Sequence, residues 1–335
     1  MPNEPTTNQV AVVVDSESPI QCEIAPPRLI LQSTPAARFA WDEFVYAAVR
    51  NPHTRRSYTR ATCRFADWCS SRGLMLERVA PSDVGRYLDA LPAAASSKKV
   101  YLAAIRHLFD LLVQRHAVIL NPAASVRGER LEVLEGRTPE ITPDQARRLL
   151  ASIDTSHLVG LRDKSIIAIL IYTAARVGAV AGLRLGDYYD MGDQHCLAFQ
   201  EKGGKPREIP VRHDLHVLLA SYRDALLASY AADSPMPLDS PLFRTTRIRT
   251  RCLTSNPMTG DDIGRMVRRR MRDAGLPARL TAHSFRVATI TDLLSQGVPL
   301  EDVQNLAGHA DPRTTRLYDR RKRQVTRNIV ERISI

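Results

Sequence analysis

The chain of 335 residues is long enough for two domains, since a typical domain holds roughly 100–200 residues, and its five scattered cysteines form no C-x-x-C pair. This cysteine usage argues against a disulfide framework or a zinc site, and with no run of about 18 apolar residues and no signal-peptide pattern we expect a soluble protein of the cytoplasm. Lys and Arg outnumber Asp and Glu by 47 to 36, a net charge of +11, and because all but 6 of these cations are arginine, the excess favours a phosphate-bearing partner over a merely solvated surface.

The composition changes along the chain in a way that predicts four regions. Residues 1–35 are rich in Pro, Thr, Ser and Gln and carry only short apolar runs, which predicts a flexible N-terminal arm. Residues 36–125 show helical periodicity in four segments and predict a helical domain. Residues 126–140 have little periodicity, two glycines and a proline, as expected of a linker, and a second domain with a C-terminal tail follows at 141–335.

The helical domain carries cations where they can meet a polyanion. In its second segment, Tyr58, Phe65 and Trp68 fall on the side that packs, and the arginines fall towards the other side. Two lysines lie at the start of a later helix, where the helix dipole adds to the attraction for phosphate. We predict nucleic-acid contacts for four residues of this domain: Arg55, Arg56, Lys98 and Lys99. A solvated basic face on an ordinary helical bundle is the alternative.

The second domain begins with a clear helix start. Thr142 suits the N-cap and Pro143 suits the first turn. Gln145, three residues after the cap, can accept a hydrogen bond from the backbone N–H of Thr142. The apolar run at 166–172 then predicts a helix that is buried on nearly all sides. Arg176 follows that run by about one helical turn, a position that is usually structural in an isolated helix.

A β-hairpin and an arginine-rich region follow. The segments CLAFQ and REIPV, joined by EKGGKP, predict two strands with Lys202 and Lys205 at the tip of the hairpin. After an amphipathic helix at 213–230, residues 233–258 predict a loop rich in proline and arginine, and the next helix adds further arginines. We predict nucleic-acid contacts here for Lys205, Arg247, Arg249, Arg268 and Arg269.

The stretch TAHSFRVATITDLLSQGVPLEDVQNLAGHADPRTTRLYDR, residues 281–320, holds the residue types that can attack a phosphodiester without a metal. Tyr318 offers a phenol nucleophile, and Arg286 can hold phosphate oxygens. His283 and His309 can exchange protons near neutral pH. Each type is common alone, as a helix-surface pair, a helix cap or a core tyrosine, so the interpretation depends on order and spacing.

Four motifs in order resemble those of the tyrosine recombinases of the phage-integrase family. They are TAARVGAVAGLRLGDY around Arg176, EKGGKPREIPV around Lys202, AHSFRVAT as the His-x-x-Arg box, and LAGHADPRTTRLYDR, which ends at the tyrosine. The resemblance covers roughly residues 140–325 and, more weakly, 36–125, which is similar to the family's core-binding domain. It implies a mainly α fold with a small β-sheet or hairpin, in which a helical core-binding domain is joined to a mixed α+β catalytic domain.

The resemblance also implies the reaction, which is site-specific cleavage and rejoining of DNA through a 3′-phosphotyrosine, without a metal or other cofactor. The implied catalytic residues are Arg176, Lys202, His283, Arg286, His309 and Tyr318. Tyr318 would attack the phosphorus while His283 accepts the phenol proton. The two arginines would oppose the charge of the transition state, and Lys202 would protonate the departing 5′-oxygen. His309 would donate a hydrogen bond to the phosphate or orient the site.

The implied partners are double-stranded DNA with an inverted-repeat recombination site and further copies of the chain, as a homotetramer on two duplexes in the nucleoid. Accessory proteins that bend the DNA are consistent with this interpretation, and integration, excision and resolution of mobile or plasmid DNA remain open. The tail after Tyr318 has apolar residues at helical spacing, which fits either a docking helix for a neighbouring subunit or a helix folded on its own domain.

One departure from the family pattern concerns the position three residues after Arg176. The family usually has an acidic residue there, whereas this chain has Ala179, so Asp187 or another group would have to support the arginine. Two alternative functions stay open at this point. A type IB-like topoisomerase would use the same nucleophile, and a non-catalytic DNA-binding regulator would use only a helix-turn-helix-like segment.

Overall fold

The computed structural model describes residues 24–129, 138–200, 206–230, 235–247, 250–309 and 311–318. These residues form two compact units, one up to residue 129 and one from residue 138. Both units consist mainly of helices, and the second also contains two small antiparallel sheets, which confirms the predicted fold class. Among the residues described, no helix is long and apolar enough to cross a membrane.

The described part of the first unit consists of helices and the loops that connect them, without a strand. Its helices are α1 (Arg28–Leu31), α2 (Pro35–Asp42), α3 (Pro52–Ser71), α4 (Pro81–Ala90) and α5 (Ala95–Gln114). A π-helical segment, Glu43–Ala48, continues α2, and a 3₁₀ turn, Leu76–Arg78, precedes α4. The sequence predicts a flexible arm as far as residue 35, and this is wrong for α1, because Leu29 and Ile30 are buried in the unit.

Local sequence explains where two of these helices begin. Thr34 and Asn51 are N-caps whose side chains accept hydrogen bonds from backbone N–H groups of the first turn, and a proline follows each of them. Phe65 of α3 is buried as predicted, and its ring meets that of Phe109 edge to face with centroids 6.3 Å apart. Such aromatic contacts join α3 to α5 and form the core of this unit.

The second unit combines eight described α-helices with two sheets. The helices are α6 (Pro143–Ala151), α7 (Leu158–Thr173), α8 (Val177–Ala181), α9 (His213–Ala228), α10 (Gly260–Asp273), α11 (Ala282–Ser295), α12 (Leu300–Ala307) and α13 (Pro312–Arg316). The first sheet has the antiparallel order β1 (Tyr188–Asp190), β2 (His195–Gln200), β3 (Pro206–Pro210). The second pairs β4 (Arg244–Thr246) with β5 (Leu253–Pro257).

The two sheets test two predictions. Pairing of β2 with β3, in register at Leu197 and Ile209, confirms the predicted hairpin, and the edge strand β1 is an addition that the sequence did not indicate. The predicted loop at 233–258 is wrong in part, because β4 and β5 form a second hairpin there. The tip of the first hairpin, residues 201–205, lies outside the described residues.

Helix α7 is the centre of the second unit. Its residues 166–170 are all buried, as the continuous apolar run predicts, because other helices and the first sheet surround them. On α9, Tyr222 stacks on Phe243 with ring centroids 5.5 Å apart and donates a hydrogen bond of 2.7 Å to the carbonyl of Leu242. These side chains belong to the same hydrophobic core as α7, so α9 and the segment before β4 pack around that helix.

One carboxylate inside this unit holds three arginines. Asp163 of α7 is fully buried, and its Oδ1 accepts hydrogen bonds from Arg162 while its Oδ2 accepts from Arg269 and Arg270 of α10. Arg162 also donates to the carbonyl of Arg244 over 2.6 Å. A buried charge needs such partners, and here they connect α7, α10 and β4.

Candidate active site

The site is built from the first turn of α11, the segment that joins α12 to α13 and the residues just after α13. The side-chain oxygen of Ser284 accepts a hydrogen bond of 3.1 Å from the backbone of Thr281, which starts α11 just before His283. Helix α12 ends at Gly308, whose φ of 61° reverses the chain. Asp311 then caps α13 by accepting from the Arg313 N–H over 2.9 Å. This turn brings the end of α13 back onto α11.

Tyr318 lies just after α13 and meets α11. Its hydroxyl oxygen is 3.2 Å from Nε2 of His283, and the two rings have centroids 6.3 Å apart at a steep angle. The Tyr318 side chain is largely buried against Val287 and Ile290 of α11. The Thr291 hydroxyl donates a hydrogen bond of 3.4 Å to the backbone carbonyl of Tyr318. Both ends of the tyrosine are therefore held by one helix.

His309 lies on the other side of the tyrosine ring. Its imidazole stacks on the Tyr318 ring with centroids 5.7 Å apart and planes 12° from parallel. Nδ1 of His309 lies 2.9 Å from the hydroxyl oxygen of Thr315. Its backbone is fixed by Gln304, whose carbonyl accepts from the His309 N–H and whose side chain donates to the His309 carbonyl over 3.0 Å.

Three arginines hold three consecutive carbonyls at the end of α12. Arg207 of β3 donates to the carbonyl of residue 306, Arg286 of α11 donates to that of residue 307 over 2.5 Å, and Arg176 donates to that of residue 308 over 3.2 Å. The carbonyl end of a helix carries partial negative charge, so it stabilises guanidinium groups. Arg286 is buried and Arg176 is exposed.

The end of α7 supplies further carbonyls to two of these arginines. Arg286 donates to the carbonyl of Ala174, and Arg207 donates to that of Thr173 over 3.4 Å. Ala174 adopts a left-handed φ of 49°, a conformation that non-glycine residues rarely adopt, at the point where α7 ends two residues before Arg176. The ends of α7 and α12 are thus bound to each other through guanidinium groups.

The electrostatic environment keeps both histidines neutral at physiological pH. Desolvation by the surrounding protein and the positive charges of Arg286 and Arg176 lower the pKa of His283 below its ordinary value of 6.5. Desolvation and the neighbouring cations, Arg286 first among them, lower the pKa of His309 to about 3. A neutral imidazole next to a phenol can accept the phenol proton. The positive charges of nearby arginines disfavour protonation of an imidazole, because protonation would place another positive charge beside them.

Of the two possibilities left open for the support of Arg176, Asp187 or another group, the described contacts show another group. Ala179 is buried on α8, and the carboxylate of Asp187 accepts a hydrogen bond of 2.8 Å from the backbone of Arg184, so it caps a 3₁₀ turn and does not replace the family's acid. Instead, the Gly308 carbonyl accepts from Arg176. Lys202 lies outside the described residues, so the structure brings together the other five predicted catalytic residues only.

The predicted DNA contacts of the first unit differ in their surroundings. Arg55 and Arg56 line a surface cavity of about 360 Å³ together with Arg60, and Arg55 also donates to a backbone carbonyl. Lys98 is ion-paired with Glu129 at 3.2 Å, which the sequence did not predict, whereas Lys99 is exposed. An arginine-lined cavity is a suitable shape for a phosphate.

The predicted DNA contacts of the second unit are also mixed. Arg247 and Arg268 are exposed. Arg269 is half-exposed and bound to the buried Asp163, so it has a structural partner as well as an accessible face. Lys205 and Arg249 lie outside the described residues. Among the residues that are described, no His, Cys, Asp or Glu cluster of three or more has the geometry to hold a metal ion.

Two residues that touch the site were not singled out from the sequence. Arg207 follows the hairpin lysines in EKGGKPREIPV, and Thr315 lies three positions before the tyrosine. Arg207 also places its guanidinium over the ring of Phe199, 5.0 Å from the centroid. The only sequence signal for either was its place inside a motif. Arg207 acts through contacts with distant segments, whereas Thr315 acts on His309 and Tyr318 within its own motif.

The arrangement matches what transfer of a phosphoryl group to a phenol requires. A hydroxyl oxygen lies beside a neutral imidazole nitrogen, and fixed guanidinium groups stand next to both histidines. A nucleophile needs a proton acceptor within hydrogen-bond distance, and a pentacoordinate phosphorus needs fixed positive charge. Both are supplied by side chains of this chain alone.

Two protein-family models match this sequence. The model described as the phage integrase family matches residues 139–324, and that of the phage integrase N-terminal SAM-like domain matches residues 41–116. The first match contains the whole site, and the second lies within the first unit.

Individual proteins and structures agree with these matches. The chain is 26% identical over 286 residues to tyrosine recombinase XerD of Ralstonia nicotianae, covering 83% of this chain and 86% of that protein. It is 28% identical over 277 residues to XerD of Neisseria meningitidis, covering 80% of this chain and 87% of that protein. XerH recombinase bound to a difH substrate has a similar fold, with a TM-score of 0.64 and 17% identity over 90% of this chain and 94% of that one. The fold is also similar to that of a lambda integrase dimer bound to a COC′ core site, with a TM-score of 0.61 and 17% identity over 86% of this chain and 96% of that chain.

Proposed function

The chain belongs to the phage integrase family and is a tyrosine recombinase, and on that premise we propose how its residues cleave and rejoin DNA. Tyr318 is the nucleophile, and its attack on phosphorus forms a 3′-phosphotyrosine bond while the bond to the 5′-oxygen breaks. The observation that carries this assignment is the 3.2 Å separation between the Tyr318 hydroxyl and His283 Nε2, beside arginines anchored to two helix ends.

Each proton and charge in this reaction has a candidate residue. His283 accepts the phenol proton at Nε2, since the lowered pKa favours the neutral imidazole, and in the tautomer with its proton on Nδ1 the Nε2 lone pair faces the Tyr318 hydroxyl. Arg176 and Arg286 oppose the negative charge that develops on the non-bridging oxygens. Lys202 protonates the departing 5′-oxygen, an assignment that depends on its place in the motif alone. His309 donates a hydrogen bond to the phosphate.

The partner that fits this site is double-stranded DNA with an inverted-repeat recombination site. Among the similar structures is one of XerH bound to a palindromic difH substrate, which supports this proposal. The arginine-lined cavity at Arg55 and Arg56 and the exposed Arg247 and Arg268 are the proposed phosphate contacts. We further propose a homotetramer on two duplexes, since an exchange of strands needs four cleavages.

The test uses purified protein and DNA fragments that flank its own gene, incubated in EDTA and scored for SDS-resistant protein–DNA adducts. Wild type should form an adduct at a discrete position, and Y318F should form none because it has no nucleophilic oxygen. Y230F is the matched control, since Tyr230 is an exposed tyrosine outside the site, and it should behave as wild type.

The other outcomes separate the alternatives. Relaxation of any supercoiled plasmid, without adducts at a preferred sequence, would indicate a topoisomerase. Tight DNA binding that is unchanged in Y318F, with no adduct from either protein, would indicate a regulator and overturn the proposed role of Tyr318.

A further inference from the structure

The two ring nitrogens of His309 have different surroundings. Nδ1 lies 2.9 Å from the hydroxyl oxygen of Thr315, whereas Nε2 meets no hydrogen-bonding group among the residues that the structure describes. A neutral imidazole carries one N–H, so it donates from one nitrogen and accepts at the other. The role that Thr315 takes at Nδ1 therefore decides what Nε2 can do.

Thr315 is placed to act on both the histidine and the nucleophile. Its side chain is fully buried on α13, and in the described part of the chain its hydroxyl bonds to His309 alone. Its backbone carbonyl accepts a hydrogen bond of 3.0 Å from the N–H of Tyr318. One short segment thus fixes the imidazole through a side chain and the tyrosine through the main chain.

The hydroxyl of Thr315 bears on which nitrogen of His309 carries the proton. A carbonyl or carboxylate could only accept from Nδ1 and would place the single imidazole proton there, but a threonine hydroxyl can also donate. Arginine charges around His309 disfavour a second proton on the ring, so the imidazole cannot donate from both nitrogens. A phosphate oxygen needs a donor, and an imidazole lone pair would repel it.

We propose that Thr315 donates its hydroxyl proton to Nδ1 of His309 and so holds the imidazole in the Nε2–H form, ready to donate to a phosphate oxygen. Thr315 is a positioning residue, since it acts through His309 and touches no reacting atom. The choice of the Nε2–H form rests on the proposed function, because a threonine hydroxyl can donate to Nδ1 or accept from it; the spectrum below tests the position of the proton without DNA or cleavage.

The direct test is a two-bond ¹H–¹⁵N spectrum of the full chain with ¹⁵N-labelled histidine, in which H309Q identifies the signals of His309. Wild type should show the Nε2–H pattern, and T315S, which keeps the hydroxyl, should show the same. T315V, which replaces the hydroxyl by a methyl group of similar size, should lose the preference. A wild-type ring that carries its proton on Nδ1, or a T315V spectrum identical to wild type, would overturn the proposal.

A second arm measures the single-turnover rate of adduct formation and the affinity for DNA. T315V should lose about tenfold in rate with unchanged affinity, and T315S should stay within about twofold, since a tenfold change corresponds to roughly 1.4 kcal/mol in the barrier. Equal rates for T315V and wild type would refute the catalytic use of the proton. If wild type forms no adduct while its spectrum is as expected, the proposed function fails and the tautomer assignment stands.

Discussion

The hydroxyl oxygen of Tyr318 lies 3.2 Å from Nε2 of His283, across 35 positions of sequence. This contact has a pH dependence because a base must be unprotonated to accept a proton. Desolvation, Arg286 and Arg176 lower the pKa of His283 below 6.5, so the unprotonated form persists to more acidic pH than in a free histidine.

The acidic decline in the rate of adduct formation should therefore have its midpoint below pH 6.5, the ordinary value for histidine. H283A should lower the rate by roughly 10²–10⁴-fold, the usual contribution of a general base, and remove the acidic decline. Single-turnover rates across pH with wild type and H283A measure both effects. An acidic decline whose midpoint lies above pH 6.5 and that persists in H283A would assign the base to another group.

His309 should make the second unit sensitive to acid. Its pKa is about 3 in the folded protein and near 6.5 when unfolded, so between these values the unfolded chain binds a proton that the folded chain does not. Stability is then lost as pH falls through that window, by about 2 kcal/mol at pH 5.

H309N should lose less stability than wild type between pH 7.5 and pH 5, because it has no imidazole to protonate on unfolding. Urea unfolding should be followed by circular dichroism, because both tryptophans, Trp41 and Trp68, lie in the first unit. An acid sensitivity of H309N equal to that of wild type would contradict the assignment.

The buried carboxylate of Asp163 should be a large contributor to stability. D163N keeps its size but leaves Arg162, Arg269 and Arg270 without their shared anion, and breaking a buried ion pair on one side costs about 3–5 kcal/mol. D273N, which removes an exposed pair with Arg272, should change stability by less than about 1 kcal/mol. Urea unfolding of both variants measures the difference, and equal stabilities would exclude an energetic role for Asp163.

Arg207 should affect the rate of cleavage more than DNA affinity. It connects β3 to the carbonyl ends of α7 and α12, so R207Q should loosen the segment that carries His309 and slow adduct formation by about tenfold, or roughly 1.4 kcal/mol. R207K keeps the charge but not the fork of donors and should be intermediate. R223Q, at an arginine paired with Asp224, is the control. A loss of affinity without a loss of rate would instead indicate a direct DNA contact for Arg207.

Local patterns predicted the parts of the fold that depend on neighbours in sequence. The capping box of Thr142 and Gln145 is present as expected, and the β2–β3 hairpin pairs as its alternation and Gly-Gly turn indicated. The buried run of α7 was also predicted, since an all-apolar helix must be surrounded. The catalytic residues came from their order and from the resemblance, because spacing alone does not show that Tyr318 reaches His283.

Contacts between distant segments could not be predicted. The carbonyls that hold Arg176, Arg207 and Arg286 belong to the backbone, whose amide groups look the same at every position of a sequence. The choice between Asp187 and another group as the support of Arg176 stayed open for this reason, because the Gly308 carbonyl that accepts from Arg176 carries no sequence signal. The β4–β5 hairpin was missed because prolines and arginines obscured its short strands.

The left-handed backbone at Ala174 sets the mutational tolerance of that position. A φ of 49° suits glycine and asparagine, yet the site is fully buried and its methyl group packs against α11 and α12. A larger side chain would be strained at this positive φ and would clash with the packed residues around it. Glycine adopts this φ without strain but leaves the space of the methyl group empty. In a saturation library selected for recombination, position 174 should therefore retain alanine and glycine and little else.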